Sequence, residues 1–175
     1  MLGCIIILIL VILVCILIII IILWRKPQPP PFVIDICPPY ISLDESSTSV
    51  SIPSNLCNSA SFSVFHIRAL ENLSYIEIGD DNYYYTTSFI LENLPKLEKL
   101  VVGNNVSSQH SLSSHLFQIT NCSCLVSIEI GERSFRGYGD VFDIHGCPLL
   151  KQIEFKGFNF QCSQFVLNGI LCRRY

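Results

Sequence analysis

The chain has 175 residues, a net charge of −3 and nine cysteines, and half of its residues are apolar. That length leaves room for about one domain, which excludes a large enzyme with separate cofactor and substrate domains. The apolar content excludes a collagenous or wholly disordered chain. Acids outnumber bases from Pro27 onward and no basic arm or patch appears, so nucleic acid is not an expected partner.

The apolar residues are concentrated at the start. Leu2–Leu23 carries no charge, and all of it but Gly3 is apolar. As a helix it would be about 33 Å long, enough to cross the ~30 Å hydrocarbon core of a bilayer. Its isoleucines and valines would suit a buried strand in water. In lipid the backbone must satisfy its own hydrogen bonds, so a helix wins. Trp24 then supplies an interfacial aromatic residue, and Arg25 and Lys26 supply charges that reach the headgroups. A cleaved signal peptide fits less well: there is no basic n-region, the run is too long, and no small-x-small site follows. The sequence therefore predicts a single-pass transmembrane helix over residues 1–24, with the membrane as a partner through Leu2–Leu23. Its orientation stays open. Arg25 and Lys26 flank only the carboxy-terminal side, which places the rest of the chain in the cytoplasm. The sequons Asn72-Leu73-Ser74, Asn105-Val106-Ser107 and Asn121-Cys122-Ser123 argue for the other side.

Residues 25–45 read as a Pro-rich juxtamembrane spacer. Pro27-Gln28-Pro29-Pro30-Pro31 predicts polyproline II, extending ~3.1 Å per residue and holding the folded part off the membrane. Pro27-x-x-Pro30 also has the pattern that SH3-type grooves take, but spacing is its expected role. Cys37-Pro38-Pro39 and Asp44–Ser51 read as irregular chain.

Residues 46–175 repeat. In the segments beginning at Phe65, Phe89, Phe117 and Phe142, apolar residues recur at offsets 2, 5, 8, 11 and 13. The sets are Ile67, Leu70, Leu73, Ile76, Ile78; then Leu91, Leu94, Leu97, Leu100, Val102; then Ile119, Cys122, Leu125, Ile128, Ile130; then Ile144, Cys147, Leu150, Ile153, Phe155. Phe165, Leu167 and Ile170 begin a fifth copy, inside which the chain stops, and Val50-Ser51-Ile52-Pro53 looks like the end of an earlier one. Ile76-Glu77-Ile78, Ile128-Glu129-Ile130 and Ile153-Glu154-Phe155 alternate as a short strand must. Phe-x-(Ile/Leu) at each start predicts a second, shorter strand. Pro95 and Pro148 fall where a tight bend is needed. Gly79, Gly103 and Gly131 follow the strands, with Gly157 one place late, and are expected to adopt backbone angles closed to other residues. One repeat cannot bury its own apolar face, but stacked coils can, with equivalent residues in ladders about 4.8 Å apart. The predicted core ladder is Leu73, Leu97, Leu125 and Leu150 with Ile76, Leu100, Ile128 and Ile153.

These residues resemble leucine-rich repeats. Leu97-Glu98-Lys99-Leu100-Val101-Val102-Gly103-Asn104-Asn105 fits L-x-x-L-x-L-x-x-N. Phe117–Ile130 is more similar to the BspA-like class, named for a bacterial surface antigen and common in protists. Asp81 and Arg133 replace the asparagine in the first and third copies, so an unbroken asparagine ladder is not expected. The resemblance covers about Val50 to Tyr175. It implies a β-rich right-handed superhelix, a leucine-rich-repeat solenoid of about five coils, the last incomplete, with one or two short parallel strands per coil. It also implies use in binding, with no catalytic residues.

The residues between the two strand anchors point away from the core: Ser51, Glu77, Val101, Glu129 and Glu154. Glu77, Glu129 and Glu154, with Tyr75 beside them, form the candidate binding face. One reading is a solvated face on which Lys99 and Lys151 offset like-charge repulsion. The other is an acidic stripe that meets a basic protein partner, with Tyr75 as an aromatic anchor. Tyr83-Tyr84-Tyr85 reads as part of a loop joining coils. Cys122 and Cys147 replace leucine in the core and are expected to pack there, as neighbours close enough for a disulfide in an oxidising compartment. Cys37, Cys57, Cys124, Cys162 and Cys172 have no readable pairing. His110, His115, Cys122 and Cys124 do not have a usual zinc spacing, and His66 and His145 read as ordinary surface residues. No nucleophile, phosphate-loop or dinucleotide motif occurs, so no enzyme, cofactor or metal is expected. The expected function is a membrane-anchored scaffold that recognises a protein or ligand through its strand face. The alternative is a structural or cell-surface element, or a truncated family member, with no specific ligand.

Overall fold

The structure is a computed structural model that describes residues 43–108, 115–136, 141–157 and 167, and the backbone alone of 33–35, 165–166 and 170–172. The expected transmembrane helix, its Leu2–Leu23 membrane contact and most of the spacer lie outside these residues. Among the described residues no helix is long and apolar enough to cross a membrane.

Alternating apolar and polar residues make each coil two-stranded. One sheet, sheet A, holds β1 (Val33–Asp35), β3 (Val64–Arg68), β5 (Ser88–Glu92), β7 (Leu116–Thr120), β9 (Val141–His145), β11 (Phe165–Leu167) and β12 (Ile170–Cys172), in that order. The other, sheet B, holds β2 (Ser49–Ile52), β4 (Tyr75–Ile78), β6 (Lys99–Val102), β8 (Ser127–Ile130) and β10 (Gln152–Phe155). Strands of successive coils pair in parallel, which gives a parallel β-solenoid of about four turns. The strands that open the repeats, expected to be the shorter, have five residues against four in sheet B.

Register follows the repeat. Phe65, Phe89, Phe117, Phe142 and Phe165 are aligned across sheet A. In sheet B, Val50, Ile76, Leu100, Ile128 and Ile153 are aligned. Leu73, Leu97, Leu125, Ile76, Leu100 and Ile128 are fully buried, while Leu150 and Ile153, in the last complete coil, are partly buried and pack against the core. Phe65, Phe89, Phe117 and Phe142 stack face to face with centroids 4.6, 5.1 and 4.6 Å apart, and Tyr83 and Phe135 meet the stack edge-on. Offset stacking and edge contacts both suit the ring quadrupole.

The first corner is a tight turn in every coil. The carbonyls of Leu70, Leu94, Cys122 and Cys147 accept from the N–H groups of Leu73, Leu97, Leu125 and Leu150 at 3.4, 3.2, 3.1 and 3.2 Å. Pro95 and Pro148 take the second position of these turns, whose φ proline presets. A left-handed residue precedes each turn: Ala69, Asn93, Asn121 and Gly146.

At the second corner the reason for glycine differs from the expected one. Gly79, Gly103 and Gly131 do not have positive φ; a side chain there would strike the backbone of the preceding coil. The left-handed angles fall further on, at Asn55, Asp81, Asn105 and Arg133, and of the four glycines at this corner only Gly157 has a positive φ, +83°.

Both ends of sheet A carry an antiparallel strand. β1, inside the segment read as spacer, pairs with β3. β12 pairs with β11 so that Leu167 faces Ile170. The fifth copy therefore reverses on itself after β11 instead of continuing as a coil. Asp44–Ser51, read as irregular, also contributes to β2, after a turn closed by a 3.1 Å bond from Ser47 N–H to the Asp44 carbonyl.

Candidate functional site

The outer face of sheet B carries the candidate site. Because side chains alternate along a strand, Ser51, Glu77, Val101, Glu129 and Glu154 form one in-register column. Ser49, Tyr75, Lys99, Ser127 and Gln152 form the other. Val101 splits the acidic stripe, leaving Glu77 on one side and the adjacent pair Glu129 and Glu154 on the other.

Their electrostatics differ. Lys99 Nζ lies 2.6 Å from Glu129 Oε1. Its hydrogen bond holds the Glu129 carboxyl below the ordinary carboxylate value, and the same bond raises Lys99 above the ordinary lysine value. The depressed Glu129 value means that this pair stabilises the fold above the unfolded carboxylate pKa, an effect lost as pH falls through the folded one. Glu77 accepts a 3.4 Å bond from Ser51 Oγ. Glu154 is exposed and accepts from Gln152 Nε2 at 3.4 Å. Of the two lysines expected to offset repulsion, Lys99 does so, and Lys151 makes no ion pair among the described residues. Tyr75 stands in register with Lys99, half-buried.

Sheet A carries a polar face that the repeat pattern does not announce. His66 Nε2 is 2.8 Å from Glu92 Oε1 on the next strand, and Arg68 Nη1 is 3.6 Å from the same oxygen. His145 Nδ1 is 3.1 Å from Asp143, which also accepts from Gln118 Nε2 at 3.4 Å. His66 and His145, expected to be ordinary surface residues, are thus members of polar pairs. The sequence signal for them is the polar content of offsets 1 and 3 after Phe65, Phe89, Phe117 and Phe142, which only Ile90 breaks.

At the second corner, polar ladders stand where an unbroken asparagine ladder is not expected. Ser54 Oγ accepts from Asp80 N–H at 3.0 Å, Asp80 Oδ1 from Asn104 N–H at 2.7 Å, and Asn104 Oδ1 from Glu132 N–H at 2.8 Å. One side chain per coil thus caps a backbone donor of the next. Asn82 is fully buried and makes four bonds: it accepts from Leu56 and Cys57 N–H and donates to the Pro53 and Gly79 carbonyls. A buried amide is tolerated only when satisfied in this way.

The remaining candidates are dispersed. In the tyrosine run, Tyr83 is buried against Phe65, while Tyr84 and Tyr85 are exposed and meet edge-on at 5.0 Å. Cys57 is disulfide-bonded, whereas Cys122, Cys124 and Cys147 are thiols. His115 is buried, and His110 lies outside the described residues. Among the described residues no three acids, histidines or cysteines gather as a metal site would require. Comparisons with protein-family models, curated proteins and solved structures gave no match.

Proposed function

We propose that the chain is a membrane-anchored binding scaffold of leucine-rich-repeat type, BspA-like in pattern, that recognises a basic protein partner. Recognition uses the outer face of sheet B, with Glu129 and Glu154 as the charged pair, Glu77 as an outlying acid and Tyr75 as the aromatic anchor. One observation carries this reading: two carboxylates stand in register on adjacent strands, and among the described residues only Glu129 is ion-paired to a lysine. A cation brought by a partner would relieve the repulsion around Glu154 and steer the encounter. The anchor rests on the uncharged run Leu2–Leu23, long enough as a helix to span a bilayer.

The Lys99–Glu129 pair favours a second reading, a structural or cell-surface element whose acidic face is simply solvated. Full-length protein carrying Glu129→Lys and Glu154→Lys separates the two. Retrieved from detergent-solubilised membranes with its bound partner, it should hold at least tenfold less of that partner than wild type. Equal retrieval would contradict the binding face. Deletion of Leu2–Leu23 in the same experiment should move the folded protein from the membrane pellet to the supernatant. Retention in the pellet would contradict the anchor.

A further inference from the structure

Cys122 and Cys147 are equivalent residues of adjacent coils, two positions past the aligned pair Thr120 and His145. They continue the core column of Leu70 and Leu94, and both are fully buried. The backbones are tied immediately beside them by a 3.0 Å bond from Asn121 N–H to the His145 carbonyl. Both residues are thiols. Each Sγ lies 3.5 Å from the carbonyl oxygen two residues back, at Thr120 and at His145, so the two thiols share this contact. Neighbouring parallel strands run about 4.8 Å apart, inside the ~4.4–6.8 Å between Cα atoms that a disulfide spans. A leucine pair in this column would fill the same space. A cysteine pair can instead be joined by a covalent bond between the coils.

We propose that Cys122 and Cys147 are a redox modification site: a low-molecular-weight disulfide converts the pair to a disulfide that staples the third and fourth coils together. The Cys147 thiolate attacks one sulfur of the oxidant, whose S–S bond breaks and releases a thiolate. Cys122 then loses its proton to solvent and attacks the mixed disulfide at Cys147, releasing the second thiolate. The two protein thiols give up two electrons and two protons, and the oxidant leaves as two thiols. Cys147 is the first attacker because it lies in the coil next to the less buried end of the ladder, and the neighbouring Cys122 thiol lowers its pKa while that of Cys122 is raised. A thiolate is the reactive form.

Access comes from the end of the ladder. Cys147 opens the turn that leads to β10, where Leu149, Glu154 and Phe155 are exposed and Leu150 and Ile153 only partly buried. Local opening begins where burial is least. The oxidising milieu is consistent with Cys57, which is disulfide-bonded. Cys124 is the competing thiol, half-buried, but the equivalent residue of the next coil is Leu149, which offers it no cysteine.

The test is incubation of the full chain with mixtures of oxidised and reduced glutathione, followed by alkylation in denaturant, proteolysis and mass spectrometry. A Cys122–Cys147 linked peptide pair should appear and disappear as the mixture is made more reducing. The linked protein should melt about 5 °C higher than the unlinked one. Cys124→Ser should leave both results unchanged. Cys122→Ala should abolish the link and accumulate a glutathione adduct on Cys147. Recovery of Cys122 and Cys147 alkylated under the most oxidising mixture would overturn the proposal, and so would a link through Cys124 or an unchanged melting temperature.

Discussion

Gly131→Ala should destabilise the solenoid by about 3 kcal/mol or more, read as a drop in the urea midpoint of the circular dichroism transition. A Cβ at this position would lie 2.6 Å from Asn104 N and closer still to the carbonyl carbon and oxygen of Gly103. All three are backbone atoms of the preceding coil, tied there by the 2.7 Å bond from Gly131 N–H to the Val102 carbonyl. They cannot rotate aside as a side chain can. Gly157→Ala is the comparison. Its φ of +83° costs a non-glycine residue about 1–2 kcal/mol, but the nearest atoms are those of the flexible Glu132 side chain. A loss at Gly131→Ala no larger than that at Gly157→Ala would contradict the close approach of coils as the reason for glycine at residue 131.

Phe117→Ala should cost about 3–5 kcal/mol. The ring is fully buried between Phe89 and Phe142, nearly parallel to both, and Phe135 meets it edge-on at 4.9 Å. Its removal leaves a cavity in the middle of the stack, and each lost aromatic pair adds about 0.5–1.5 kcal/mol beyond area. Phe117→Leu keeps most of the volume and should recover part of the loss. Leu149→Ala, at a half-exposed position, should shift the midpoint by no more than about 0.5 kcal/mol equivalent. If Phe117→Ala behaves like Leu149→Ala, the stack does not hold the coils together.

The repeat is legible because a solenoid uses the same column of space once per turn. Residues with equal burial therefore recur at equal offsets, and spacing alone assigns Leu73, Leu97, Leu125, Ile76, Leu100 and Ile128 to the core. The outward column of Glu77, Val101, Glu129 and Glu154 follows from the same alternation. Spacing does not carry the contact between coils. Whether Gly131 serves an unusual angle or a close approach depends on the neighbouring backbone, which no single repeat reveals. The pairing of His66 with Glu92 crosses from one coil to the next and shows only when the coils are laid side by side.

The reversal at the carboxy-terminal end has a signal that the repeat masks. Asn168-Gly169 separates Leu167 from Ile170, and Asn-Gly is the dipeptide most favoured in two-residue hairpins. The apolar offsets of Phe165, Leu167 and Ile170 match a fifth coil equally well, so periodicity outweighs turn chemistry. β1 is hidden for a similar reason: Val33–Asp35 is short and follows a proline run, and only pairing with β3 makes it a strand.

Through-space contacts between isotope-labelled leucine and isoleucine methyl groups test the stacking of equivalent residues most directly. The strand register requires cross-peaks between Leu73 and Leu97, Leu97 and Leu125, Ile76 and Leu100, and Leu100 and Ile128. Their absence, with contacts instead between residues three or four apart in the chain, would contradict the solenoid and indicate packed helices.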